Sequence, residues 1–405
     1  MKKLLEISLG IVTSIGGFLE IGSITTAAQA GAEFGFQLIW AILLGGICVI
    51  FLVEQAGRIA AISRHTIPGA IRERFGFNYF IFLLVIVGLV SLLVLASEIG
   101  GICIAIEMAT GIRFWWWALP VGFVIWLLMW KGPFSLIEKG TSLLGLITVS
   151  FIVGAVVMRP DWLSVLRGSV PSLPSHDQAR YWFLAVSILG ASISPYLFFF
   201  YSSGAVEDHW DENYLGVNKV IAASGMSFGS IISVAVLILA ALVFPPRGLK
   251  ADEYSQLALL LQDAFGYWGF VLLIASLGIA CLGAALEISL ELAYLAAQGF
   301  GWNWSKNQRP RDEARFSIVY TLIILLGAII ILVGVDPLQL TILSMAFTAA
   351  TLPVSIVPFL FVMNDRYYLE QHVNSTFTNA VTLVIILLAS VVALVTIPLH
   401  IFGGG

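Results

Sequence analysis

Apolar runs of about twenty residues recur along the whole of this 405-residue chain, and that recurrence constrains its fold more than any other feature. A run of that length crosses the hydrocarbon of a bilayer as a helix, whereas a membrane β-barrel would alternate apolar and polar residues along short strands. In lipid, only helices and closed barrels satisfy every backbone N–H and C=O. The chain is therefore expected to be an all-α polytopic membrane protein. Composition agrees: 59% of residues are hydrophobic and 11% charged, against roughly 45 to 50% apolar in soluble domains.

Polar breaks divide the runs into eleven expected spans: 8–31, 38–60, 79–106, 114–130, 136–158, 181–203, 217–244, 266–290, 314–334, 338–363 and 376–401. The start, Met1 to Glu6, leads into a first span too long and too polar at its centre for a cleavable signal, so that span is expected to be retained. With the N-terminus cytoplasmic, fourteen of the Lys and Arg residues fall inside. Only Arg113, Arg159, Arg167, Arg180, Arg247 and Lys250 fall outside. The positive-inside rule thus places the N-terminus in and the C-terminus out. Trp115, Trp116, Trp117, Trp126 and Trp130 flank the fourth span as an interfacial belt. No linker is long enough to mark a second domain, so residues 1–405 read as one domain. Cys48, Cys103 and Cys281 all lie in apolar runs and read as packing residues, with no disulfide framework and no CxxC metal site.

A carboxylate inside a span costs at least about 2.5 kcal/mol, so each one is a functional candidate. Glu54 is four residues before Arg58, and an i,i+4 ion pair explains it. Glu6 and Glu107 fall at span ends, where water reaches them. Glu287 and Glu291 share a helix face at the inner end of the eighth span, either snorkelling to water or lining a vestibule. Glu98, in "LASEIGG", has small neighbours that permit close helix contact, and suits either the permeation path or an interhelical hydrogen bond. Glu20 is the strongest candidate. It lies near the centre of the first span and is followed by "IGSITT", whose Gly22, Ser23, Thr25 and Thr26 favour local unwinding.

A second interruption is expected in the sixth span, "ILGASISPYLFFFYSS", where Pro195 removes an amide and leaves the Ala191 carbonyl without its helical partner. Freed carbonyls plus a carboxylate make an oxygen-rich cation site. Irregular backbone at this depth is tolerated where it lines a cavity, and two interrupted helices five spans apart are what an inverted five-helix repeat produces. His65, His176, His209, His372 and His400 all fall in loops or at span ends, so none reaches the midplane. Met345, in the tenth span, is the one methionine near the centre, and reads first as core.

With their flanks, these segments resemble the NRAMP family of divalent metal transporters. "QAGAEFGFQLIW" is similar to the family's passage from helix one to helix two, "SLIEKGTSLLGLI" to its helix five start, "VPSLPS" and "ILGASISPY" to its helix six, and "VDPLQL" to its entry into helix ten. The resemblance covers nearly the whole chain. It implies a LeuT-like fold, an inverted 5+5 repeat (about 8–158 and 181–363) with an eleventh helix at about 376–401.

The core motifs depart from the family. Its Asp-Pro-Gly-Asn is here Glu20-Ile21-Gly22-Ser23, and its Met-Pro-His is Ser194-Pro195-Tyr196. A family glutamine aligns with Met345 and an acidic position with Leu95, while Glu98 matches a family glutamate. The implied ligand set is the Glu20 carboxylate, the Ser23 and Ser194 hydroxyls and the Ala191 carbonyl. Gly22, Glu98, Tyr196, Glu287, Glu291 and Met345 would line the path. An all-oxygen shell suits hard cations, so Mg2+ is the expected cargo, as in the family's divergent magnesium-transporting branch, with Mn2+ also carried.

The expected function is inward movement of divalent cations by alternating access, weakly or not coupled to protons, in a monomer of the plasma (inner) membrane. The metal is substrate, with no cofactor and no nucleic-acid partner. Two alternatives stand beside it: a LeuT-fold carrier of amino acids or amines, whose anionic carboxylate Glu20 would repel, and a transport-inactive receptor on the same scaffold. An enzyme is not expected, since no phosphate loop, nucleophile elbow or HExxH string is present.

Overall fold

The structure, a computed structural model, describes residues 20–132, 145–174 and 176–403, with side chains through residue 395. Its helices are α1 (Ile21–Phe34), α2 (Ile39–Ser63), α3 (Ile67–Phe75), α4 (Phe77–Thr110), α5 (Ala118–Lys131), α6 (Val149–Val157), α7 (Trp162–Gly168), α8 (Gln178–Ser192), α9 (Pro195–Glu207), α10 (Leu215–Val243), α11 (Leu259–Phe265), α12 (Tyr267–Phe300), α13 (Ala314–Leu332), α14 (Pro337–Val362) and α15 (Thr376–Gly403). Among the described residues no strand is present. Among the described residues, nine helical segments are long and apolar enough to cross a bilayer, or ten if the Leu146–Val157 and Trp162–Gly168 pair, bent by 119°, is one span. Most of the first span's earlier half, and the start of the fifth, lie outside the described residues.

Local chemistry sets the helix ends. Gly76 (φ 82°) and Gly111 (φ 73°) bound α4, in backbone regions open cheaply only to glycine. Asp177 starts α8 by accepting from Arg180 N at 3.0 Å. Thr66 caps α3 by accepting from Gly69 N at 3.2 Å.

The helices of the first half pack on their counterparts five spans later: α1 on α8, α2 on α10, α4 on α12 and α5 on α13. A two-fold relation between inverted halves produces that pattern. Small residues allow the close approach. A Cβ on Gly46 would lie 2.2 Å from Ser230 Oγ of α10, and one on Gly122 would lie 2.9 Å from Ala328 Cβ of α13. Around the outside, Leu89, Phe123, Leu322 and Leu394 are exposed. On a bundle of this hydropathy they face acyl chains rather than water.

Two expectations change. The eighth span continues to Phe300, ten residues past its expected end, because "SLELAYLAAQGF" keeps a buried apolar face. Glu287 and Glu291 are therefore not at a helix end; they are 5% and 1% exposed, which excludes snorkelling. Glu107 is not simply solvated either: its Oε2 accepts from Phe114 N at 2.8 Å and ties the turn after α4.

Candidate functional site

The sixth span breaks where the sequence places the break. Ser194 precedes proline and is driven to an extended conformation (φ −79°, ψ 131°). Helix α8 has ended at Ser192, and α9 restarts with Pro195 in its first position, where a missing N–H costs nothing. Pro195 has no N–H to return to Ala191 O. The Ser194 hydroxyl, instead, donates to Gly190 O at 3.3 Å. Ala191, Ser194 and Tyr196 are each at most 2% exposed.

In the first span the irregular residue is Glu20 itself, extended at φ −113°, ψ 167°. The expected unwinding at Gly22, Ser23, Thr25 and Thr26 is not found: these residues form the first turns of α1. The Thr26 hydroxyl bonds back to Gly22 O at 2.7 Å within this regular helix. Ser23 sits in the first turn, 6% exposed.

Glu20 is 1% exposed. Its Oε2 accepts from the Tyr196 hydroxyl at 2.9 Å, joining the start of α1 to the α8–α9 break, and the Ser194 hydroxyl lies beside the same carboxylate. Its Oε1 is buried and has no hydrogen-bond partner among the described residues. A buried carboxylate oxygen left without a donor is costly unless something positive completes it.

Glu98, fully buried on α4, plays the interhelical part considered for it. Its two oxygens accept from Ile21 N at 3.0 and 3.3 Å, so it caps α1 from a neighbouring helix and sets its charge against the helix's positive end. The Cys281 thiol of α12 lies close enough to this carboxylate for the two to interact. Reading Cys281 as packing alone missed that. Apolar surroundings hid it, and only the third dimension brings α12 to Glu98.

Met345 is fully buried and lies at the site. A Cβ on Gly22 would lie 2.5 Å from its sulfur, and one on Gly190 would lie 2.6 Å from its carbonyl oxygen. The residue thus wedges between α1 and α8, and puts a thioether next to the oxygen donors. Glu287 is close enough to the Tyr196 hydroxyl for their charges to interact, as is Glu98. Glu291 lies one turn further along α12, with Ser91 the neighbouring hydroxyl and neither carboxylate oxygen in a hydrogen bond of normal geometry among the described residues. Among those residues no three His, Cys, Asp or Glu side chains converge on a metal-sized gap. Outside the site, the Glu54–Arg58 pair forms at 3.4 Å.

Comparison with known families matches residues 10–398 to the family described as natural resistance-associated macrophage protein-like, or NRAMP. The chain belongs to the NRAMP family. Members of that family are metal-ion transporters rather than enzymes, and this member is a multi-pass membrane transporter. It is similar to the divalent metal cation transporter MntH of Deinococcus radiodurans, 27% identical over 86% of this chain and 79% of that one. A second MntH, from Caldanaerobacter subterraneus subsp. tengcongensis, is 24% identical over 93% and 88%. The fold is that of the Eremococcus coleocola manganese transporter, solved with an aromatic bis-isothiourea substituted compound (TM-score 0.77, 18% identity, 98% of this chain and 87% of that one). Mhp1, a nucleobase-cation-symport-1 transporter, shares it more distantly (TM-score 0.64, 14% identity, 98% and 92%).

Near the site, the Tyr254 hydroxyl shares a 2.8 Å hydrogen bond with Thr341 of α14, and Gln29 of α1 donates to Ala251 O at 3.5 Å. Glu20, Ala191, Ser194 and Tyr196 are all essentially unexposed.

Proposed function

We propose that this NRAMP chain carries divalent metal cations inward, Mg2+ foremost and Mn2+ also, through a site made by the Glu20 carboxylate, the Ser23 and Ser194 hydroxyls and the Ala191 carbonyl. The observation that supports this reading is the buried Glu20 Oε1, without a hydrogen-bond partner among the described residues, beside the α8–α9 break. Mg2+ keeps several waters and binds through one or two carboxylates, which this donor set offers. The family and the MntH relatives support a divalent cargo in general.

Movement is by alternating access, with α1, α8 and α9 rocking against α4, α5, α12 and α13 around a fixed site. A divalent cation entering a cell gains about 4.6 kcal/mol per 100 mV, twice the value for one charge. That is roughly a thousandfold accumulation. Voltage alone therefore suffices, and among the described residues no histidine stands near the site to pass protons. The protein is proposed to be a monomer of the plasma membrane, with its N-terminus cytoplasmic and its C-terminus outside, and the two repeats as bounded above. The test is metal uptake into proteoliposomes at zero voltage with an imposed pH gradient; accumulation driven by that gradient would contradict the uncoupled reading.

A second reading has its own observation. The Met345 sulfur against Gly22 gives Mn2+ a softer neighbour than an all-oxygen shell supplies. Under it, Met345→Leu lowers Mn2+ uptake and spares Mg2+ uptake.

A further inference from the structure

At the far end of α9 lies another buried glutamate, Glu207, 8% exposed and the last residue of the helix. A carboxylate there sits against the negative end of the helix dipole, so its position must be compensated by its neighbours. They compensate it fully. Glu207 Oε1 accepts from the Tyr294 hydroxyl of α12 at 3.1 Å and from Lys306 N at 2.5 Å. Its Oε2 accepts from Ser305 Oγ at 3.0 Å and Asn307 Nδ2 at 3.2 Å. Three of those four donors belong to the short connection between α12 and α13, and the fourth to α12 itself. The Lys306 ammonium also donates to the carbonyl of Gly132, just past the end of α5. One carboxylate therefore ties the end of α9 to the α5, α12 and α13 side of the bundle.

A second, neutral tie lies beside it. Gln298 of α12 donates to Ser203 Oγ of α9 at 3.0 Å and accepts from the Thr66 hydroxyl at 2.8 Å, while Ile67 N donates to Ser202 Oγ of α9 at 3.2 Å. Residues that bond α9 to this frame must let go if α9 is to swing away from α12.

We infer that Glu207 is the latch of the bundle's cytoplasmic end: its carboxylate holds α9 shut against the loop 301–307, and its release is the step that lets cargo leave the site inward. This rests on the carrier reading above, because only in a carrier does that end have to open.

Hydrogen–deuterium exchange on the full chain in nanodiscs tests it. Glu207→Gln keeps the side chain's shape but sets an NH2 group against the Asn307 amide and the Ser305 hydroxyl. Exchange of the amides of 202–207 and 302–307 should rise roughly tenfold, with the outer segment 251–257 unchanged or slower. The double variant Ser305→Ala, Asn307→Ala attacks the same carboxylate from the loop side and should raise exchange in the same two segments by less. Exchange unchanged in both segments, or raised evenly throughout the chain, overturns the latch. Because the measurement reads closure without transport, a chain that latches but carries no metal is distinguished from one that carries metal and closes elsewhere.

Discussion

Glu20, at the start of α1, and Glu207, at the end of α9, are both buried glutamates next to a helix end, and they are treated in opposite ways. Glu207 has four donors on its two oxygens. Glu20 accepts from Tyr196 on one oxygen, and its other oxygen has no donor among the described residues. A satisfied buried carboxylate fixes two elements together, and removing it strands its partners. An unsatisfied one is a cost to the fold that a cation can relieve. The difference separates a joint from a binding site more sharply than burial does, since both residues are out of solvent.

The largest expected effect breaks the comparison at its unsatisfied side. Glu20→Ala should lower divalent uptake by about a hundredfold or more, because the shell loses its full negative charge. Thermal stability should hold or rise, read by a melting curve in detergent. A large drop in melting temperature with uptake retained would make Glu20 structural. On the satisfied side, Glu207→Gln should cost about 1–3 kcal/mol of stability while leaving metal affinity within a few fold. A titration of metal against the folded variant checks the second half.

Smaller changes sharpen the contrast. Tyr196→Phe removes the hydroxyl that donates to Glu20 Oε2 and should weaken metal binding by roughly tenfold, as loss of a hydrogen bond to a charged group does. Met345→Leu conserves volume, so it should cost less than about 1.5 kcal/mol of stability. Mg2+ uptake should be unchanged, whereas a fall in it would place the thioether in the Mg2+ path.

The smallest expected effect is on pH. Burial pushes the Lys306 ammonium down from 10.5 to about 8, partly opposed by Glu207. The groups that face it are Glu207 from α9 and the Gly132 carbonyl past α5. The latched form thus binds fewer protons than a form in which Lys306 meets water, so closure should strengthen as pH rises from about 8 towards 10.5 and stay flat below 8. Exchange at 302–307, corrected for its intrinsic pH dependence, reads the sign. A latch that loosens over that interval would contradict it.

Much of the bundle was legible because lipid permits few solutions. Apolar length gave the spans, and Pro195 gave the α8–α9 break through the amide it lacks and the extended residue it forces before it. Glu20 was legible for the same reason, being a charge where charge is expensive. The unwinding after it was misplaced, because Gly22, Ser23, Thr25 and Thr26 tolerate irregular backbone without requiring it, and a cap arriving from Glu98 on α4 steadies a regular first turn. Glu98 and Cys281 are far apart in sequence from α1, and nothing local signals their meeting. Glu207 and its loop were silent for a different reason: at a span end, polar residues are expected whether or not they bond each other.

The most direct test is uptake of Mg2+ and of Mn2+ into proteoliposomes held at inside-negative voltage, comparing the native chain with Glu20→Gln. A metal held at the orphaned oxygen predicts saturable, voltage-dependent uptake by the native chain and its loss in the variant. Equal uptake by both chains, or none by a folded native chain with either metal, would contradict it.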